Sequence, residues 1–156
     1  MPLRDIPGQD RAVAQLLAAL RAGAVSHAYV FEGPRGTGRK AAALALAQAL
    51  LCRAGGGGTE DGDACGACAE CRKVAHGNHP DVLTIDPDGA SVKLEQIREL
   101  QRRFAFKAEN GKPRVYILEE ADRLTAQAAN ALLKFLEEPG PGTTAILITA
   151  NYGGLL

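Results

Sequence analysis

The chain has 156 residues, enough for one domain with a sizeable core. Its 46% hydrophobic and 23% charged content is ordinary for a globular protein, and 18 basic side chains balance 18 acidic ones. That neutrality excludes a global pull on nucleic acid, so any DNA contact has to come from a local patch. Residues 1–9 place Asp5, Pro2 and Pro7 where a secretory leader needs an apolar run. The most apolar stretch, 41–51, is too short to span a bilayer and carries Gln48. A soluble, cytoplasmic chain with no membrane contact is expected.

The elements alternate along the chain. After the Pro7-Gly8 turn, Val13, Leu16, Leu17 and Leu20 share one helical face, with Gly23 placed to end the helix. Residues 28–32 (AYVFE) form a short buried strand that runs through a glycine-rich turn into an alanine-leucine helix over 39–51. Residues 53–80 are Gly- and Cys-rich and lack a helical period for most of their length. A second strand, 82–86, is closed by the turn Pro87-Asp88-Gly89. Ser91 can cap a helix whose Leu94, Ile97, Gln101 and Phe104 share a face. The loop 108–113 leads to the strand 114–118, Thr125 caps the helix 126–138 before Pro139, and 144–149 is the last strand.

Apolar strands separated by helices predict an α/β fold, a parallel sheet with helices on both faces. Ligands of such sheets sit at the C-terminal strand ends. There the loop after Glu32, Asp86, the pair Glu119-Glu120, and Thr149 with Asn151 are expected to converge.

The segment 33–41 (GPRGTGRKA) nearly fits the phosphate-loop pattern G-x-x-x-x-G-K-[ST]. Gly33, Gly36, Thr37 and Gly38 suit an anion-binding backbone at a helix start. Arg39, however, stands at the lysine position and Lys40 at the hydroxyl position. Magnesium wants oxygen ligands, and a charged lysine offers none. Two like charges about 4 Å apart repel by roughly 4 kcal/mol at an effective dielectric near 20. Arg39 can still reach a phosphate, with a different geometry from an ammonium. The leading expectation is a glycine turn that only closes the joint; weak, metal-poor nucleotide binding comes next, and full turnover last. Glu119 and Glu120 follow an apolar strand, the arrangement in which the first acid supports magnesium and the second activates water. Glu119 is one methylene longer than the usual aspartate.

All four cysteines lie in Cys52-x12-Cys65-x2-Cys68-x2-Cys71. Four thiolates in a reducing compartment suit a closed, structural zinc site, with Gly55 to Gly58 giving the slack to bring Cys52 back. An iron–sulfur cluster is the competing reading, though no further cysteine follows Cys71, and unligated structural thiols come after it. His76 and His79 are expected to be loop residues rather than ligands.

Taken together, the 6–9 IPGQ box, the 27–40 segment, the cysteine module after the first core helix, 115–125 (VYILEEADRLT) and 129–139 (ANALLKFLEEP) resemble the AAA+ clamp-loader subunits of bacterial DNA polymerase III. The resemblance covers nearly the whole chain. Motor subunits of that family, gamma/tau, carry G-K-[ST] and an Asp-Glu pair, whereas Gly38-Arg39-Lys40 and Glu119-Glu120 are similar to the delta-prime branch, a non-hydrolysing stator. The resemblance implies that residues 1–156 are the N-terminal AAA+ domain, with a zinc module at 52–80, and that lid and collar domains lie outside them. It implies gamma/tau and delta subunits as partners, and the sliding clamp and primer-template DNA through the complex. ATP and magnesium are expected to bind weakly or not at all. Thr149 matches the family's sensor position, and a β-branched strand end is an equally good account of it. The face with Lys93, Arg98, Arg102 and Arg103, with Lys107 beyond it, is a candidate DNA surface. Glu95 and Glu99 at helical spacing make a self-paired, solvated face the leading expectation there. A gamma/tau-type motor and a zinc-bearing nucleic-acid binder on an ATPase scaffold are the two competing functional readings.

Overall fold

A computed structural model of the chain describes residues 2–6, 8–33, 38–54, 59–105, 113–138, 140 and 142–150. After a 3-10 turn at Leu3–Asp5, the elements are α1 (Asp10–Ala22), β1 (Ala28–Glu32), α2 (Arg39–Ala54) and α3 (Ala69–Ala75). They continue with β2 (Val82–Ile85), α4 (Leu94–Phe104), β3 (Arg114–Leu118), a 3-10 turn at Ala121–Arg123, α5 (Ala126–Glu137) and β4 (Thr143–Thr149). The strands form one sheet in the order β1-β4-β3-β2, and every pairing is parallel.

Two-sided burial explains why the inner strands are apolar throughout. Side chains alternate across the sheet. Val115 and Ile117 of β3 and Ile146 and Ile148 of β4 face one core, built with Leu16, Leu20 and Leu46 of α1 and α2. Tyr116, Leu118, Ala145 and Leu147 face the other, built with Ile97, Leu100 and Leu132 of α4 and α5. Phe104, Tyr116 and Phe135 meet edge-on or tilted in that second core, with centroids 5.4 to 6.4 Å apart. The guanidinium of Arg114 lies 4.9 Å from the Phe104 ring centre. On α2, Ala43, Ala45, Ala47 and Ala49 are all buried, so the helix packs closely on several sides at once. No described helix is long and apolar enough to cross a membrane.

The turns reflect local chemistry. Gly23 takes φ of 66°, the left-handed value that ends a helix without a Cβ clash. The hydroxyl of Thr125 accepts from the Ala128 N–H at 3.1 Å and caps α5 as expected. Ser91 does not cap α4. Its carbonyl accepts from the Asp88 N–H at 2.9 Å in a small bridge, while Val92 is stitched to Arg123 and Thr125. Lys93 takes the N-cap position instead, and the Gln96 side chain accepts from its N–H at 2.8 Å. The expected loop 108–113 lies outside the described residues except for Pro113.

Burial gives opposite expectations for two leucines. Leu100→Ala, in the fully buried position on α4, is expected to cost about 2–5 kcal/mol in denaturant unfolding. Leu133→Ala, at a position 44% exposed on α5, is expected to change stability by less than about 0.5 kcal/mol.

Candidate functional site

Parallel strands all end on the same side, and four chain segments meet there. Gly33 follows β1 and donates its N–H to the Thr149 carbonyl of β4 at 3.1 Å. Gly38, with φ of 80°, opens α2, and its carbonyl accepts from Ala42 at 2.9 Å. Glu119 follows β3, and its N–H donates to the Ile85 carbonyl of β2 at 2.9 Å, which sets Asp86 beside it. Gly38, Arg39, Lys40, Asp86, Glu119 and Glu120 line a cleft of about 390 Å³. The sequence-based convergence therefore holds for these residues. Gly36 and Thr37, with Pro34 and Arg35, lie outside the described residues, as does Asn151.

Inside the cleft Lys40, one departure from the phosphate-loop pattern, meets the lengthened acid Glu119. The Lys40 Nζ lies 3.2 Å from the Glu119 Oε2, with Lys40 half exposed and Glu119 largely covered. Burial raises the Glu119 carboxyl above its ordinary value, the Asp86 carboxyl adds to the rise, and Lys40 opposes it. The Asp86 and Glu119 carboxyl groups, at the ends of neighbouring strands, thus lie side by side, with the Lys40 ammonium against Glu119. Arg39 also lines the cleft, and its Nη1 is buried with no hydrogen-bond partner among the described residues. Glu120 has φ of 53°, an unfavourable left-handed value for a side chain with a Cβ, and its carboxylate lies 3.5 Å from Arg123. Thr149 is fully buried, and its hydroxyl donates to the Asp122 carboxylate at 3.0 Å.

The cysteines form a second centre. Cys52 ends the buried side of α2, Cys65 and Cys68 flank a tight turn, and Cys71 lies on α3. Their four sulfurs lie within 4.8 Å of one another. The Cys52 and Cys68 sulfurs are 3.8 Å apart. That matches the edge of about 3.8 Å in a tetrahedron with metal–sulfur bonds of about 2.3 Å. Backbone N–H groups point at the sulfurs, from Cys65 to Cys52, from Ala67 and Cys68 to Cys65, and from Cys71 to Cys68, at 3.3 to 3.5 Å. The N–H groups of Ala67 and Cys68 lower the Cys65 thiol to about 6, while burial pushes Cys52 and Cys71 up. A cation among the four would offset the desolvation that keeps the buried pair protonated, so this donor set fits a closed metal site. Neither histidine joins it. His76 is exposed, whereas His79 is buried, pairs with Glu70 through Nε2 and accepts from the Asp81 N–H at 3.0 Å.

Some supporting residues carry little sequence signal. Gln48, the lone polar residue in the apolar run of α2, donates to the Cys71 carbonyl at 2.9 Å and fastens α3 to the core. Helix α3 itself, only seven residues long, lies within the stretch that shows little periodicity. Asp63, in a glycine-rich loop, is completely buried.

This fold and cleft define an α/β domain whose polar residues gather at the C-terminal ends of a parallel sheet. A DNA polymerase III gamma-subunit-related protein of Thermotoga maritima superposes with a TM-score of 0.61 at 24% identity, covering 91% of this chain and 41% of that one. Residues 8–156 match the family described as DNA polymerase III, delta subunit, and the chain belongs to that family. The delta-prime subunit of Bacillus subtilis is 43% identical over 148 residues, which are 95% of this chain and 44% of that protein. That of Pseudomonas aeruginosa is 39% identical over 133 residues, 84% of this chain and 39% of that one. The tau subunit of Escherichia coli is 34% identical over 147 residues, 94% and 22% respectively. The chain thus spans less than half the length of these curated relatives.

For the cysteine centre, elemental analysis of the purified chain is expected to give about one metal ion per chain, lost in Cys71→Ser. The same substitution is expected to lower stability by several kcal/mol, because metal binding free energy is folding free energy.

Proposed function

We propose that residues 1–156 are the N-terminal AAA+ domain of a delta-prime-type clamp-loader subunit, which acts in DNA replication as a stator that does not hydrolyse ATP. The carrying observation is the Lys40–Glu119 ion pair at 3.2 Å. In a working site the position of Lys40 supplies a metal-binding hydroxyl and that of Glu119 supports the metal. Here an ammonium lies against the carboxylate, so the protein's own cation balances the charge that a magnesium ion otherwise balances. The Nη1 of Arg39, without a partner among the described residues, supports a remaining capacity for a phosphate or similar anion, without a metal beside it. The 43% identity to a delta-prime subunit supports the same branch.

In this reading the cysteine centre holds a structural zinc ion that stabilises the module and takes no part in chemistry. The partners are gamma/tau and delta subunits, and the sliding clamp and primer-template DNA are reached through the assembled complex. The setting is cytoplasmic. The α4 surface contributes little direct DNA affinity, since Arg102 is bound to Glu95 at 2.9 Å and to Glu99 at 2.6 Å, and Lys93 to Asp88 at 3.3 Å.

Nucleotide titration of the complete subunit tests the reading. Turnover at the level of buffer alone and an ATP affinity indifferent to magnesium are expected. The double substitution Lys40→Thr with Glu119→Asp is expected to introduce magnesium dependence, raising affinity about tenfold, or about 1.4 kcal/mol. Steady hydrolysis by the unaltered protein, abolished in Glu120→Gln, favours a gamma/tau-type motor and sinks the stator. Tight DNA binding by this chain alone, falling steeply with salt, favours the nucleic-acid binder instead.

A further inference from the structure

Asp63 lies two residues before the cysteine Cys65, and its carboxylate is fully buried among groups from the start of the chain. Its Oδ1 accepts from the N–H groups of Leu3 at 3.0 Å and Ala64 at 2.7 Å. Its Oδ2 accepts from the Arg4 N–H at 2.9 Å and from the Arg4 Nη1 at 3.2 Å. The same Nη1 donates to the Ala64 carbonyl at 3.2 Å, so Arg4 grips both the carboxylate and the backbone leading into Cys65. Charge-assisted bonds of this kind, shielded from water, are the strong ones.

The loop that carries Asp63 is fixed on its other side. Gly62 has φ of 96°, and a Cβ there would come within 2.9 Å of the Leu17 carbonyl of α1. Thr59 closes the loop through its N–H, which donates to the Asp63 carbonyl at 2.9 Å. The turn held by Asp63 also reaches the cleft side of the domain. Leu3 is fully buried in the core that contains Cys52 and Cys71. Leu3, Val13, Leu16, Phe31, Gly38 and Arg39 line an apolar cleft of about 220 Å³ next to the start of α2.

We propose that Asp63 is a positioning residue that couples the cysteine centre to the N-terminal turn, so that the metal-ordered module holds the Leu3 wall of this second cleft in place. Ordering Cys65 by a metal fixes the backbone at 63–65, and the buried carboxylate passes that order to residues 3 and 4. Only the coupling depends on metal occupancy of the four cysteines, as read under Proposed function; the clamp itself rests on the hydrogen bonds of Asp63.

Hydrogen exchange of the 156-residue chain, read by mass spectrometry alongside metal content, tests it. Asp63→Asn keeps one acceptor oxygen but sets an amide against the Arg4 N–H. It is expected to retain the metal while exchange in residues 2–6 rises at least about tenfold and α4 and α5, on the opposite face of the sheet, stay unchanged. Arg4→Ala, at a side chain 44% exposed and tolerant of replacement, is expected to raise exchange at 2–6 by a smaller factor with the metal retained. Chelating the unaltered chain is expected to release residues 2–6 together with the module. Residues 2–6 as protected in both variants as in the unaltered chain would overturn the clamp. Protection of 2–6 that survives chelation would overturn the coupling. A chain that carries no metal defeats the metal reading and with it the coupling, whereas the two substitutions still decide whether Asp63 clamps the turn.

Discussion

A parallel sheet cannot be closed by hairpins. Each strand must be joined to the next by a crossover, and each crossover covers a face. In this chain that single constraint fixes most of the architecture. With order β1-β4-β3-β2, the helices α1 and α2 cover one face and α4 and α5 the other. Every strand end then falls on one side of the molecule, and the polar residues that come after the strands have to share it. The pairing of Lys40 with Glu119 is a product of this geometry. One lies in the first turn of the helix after β1, the other follows β3, and β4 lies between their strands.

The large elements were legible because their signals are long and one-sided. The apolar runs in β3 and β4 need burial on both faces, and a parallel sheet is the structure that provides it; β1, expected to be a buried strand, is instead an edge strand with Val30 and Glu32 exposed. The four cysteines gave their cluster away by spacing alone. Helix α3 was not legible, because seven residues with only Cys71 and Val74 buried make no convincing period. Ser91 has the right chemistry for a cap, yet its backbone is committed to a bridge with Asp88, and no local rule reveals that competition. Asp63 is the least visible of all. An acid among glycines reads as solvated, and its burial depends on a backbone donor 60 positions away, the N–H of Leu3.

The candidate site shows the same division. Each unusual residue could be seen singly: an arginine for a lysine, a lysine for a hydroxyl, a glutamate for an aspartate. That two of them compensate each other emerges only from the strand order. A lysine introduced alone into a carboxylate-lined cleft would lack the hydroxyl, and a lengthened acid alone would sit out of register. Together they form a contact at 3.2 Å in which the chain supplies both charges.

A counter-ion joined to the backbone has no dissociation constant. The Lys40 ammonium never exchanges with the bulk, and its effective concentration at Glu119 is set by a few rotatable bonds rather than by the composition of the medium. In the stator reading proposed above, the top of this sheet is insulated from swings in free divalent ions, with no counterpart of the empty and filled states through which a metal-dependent site must cycle. Geometry at the strand ends stays constant from one moment to the next, a property suited to a surface that others are measured against.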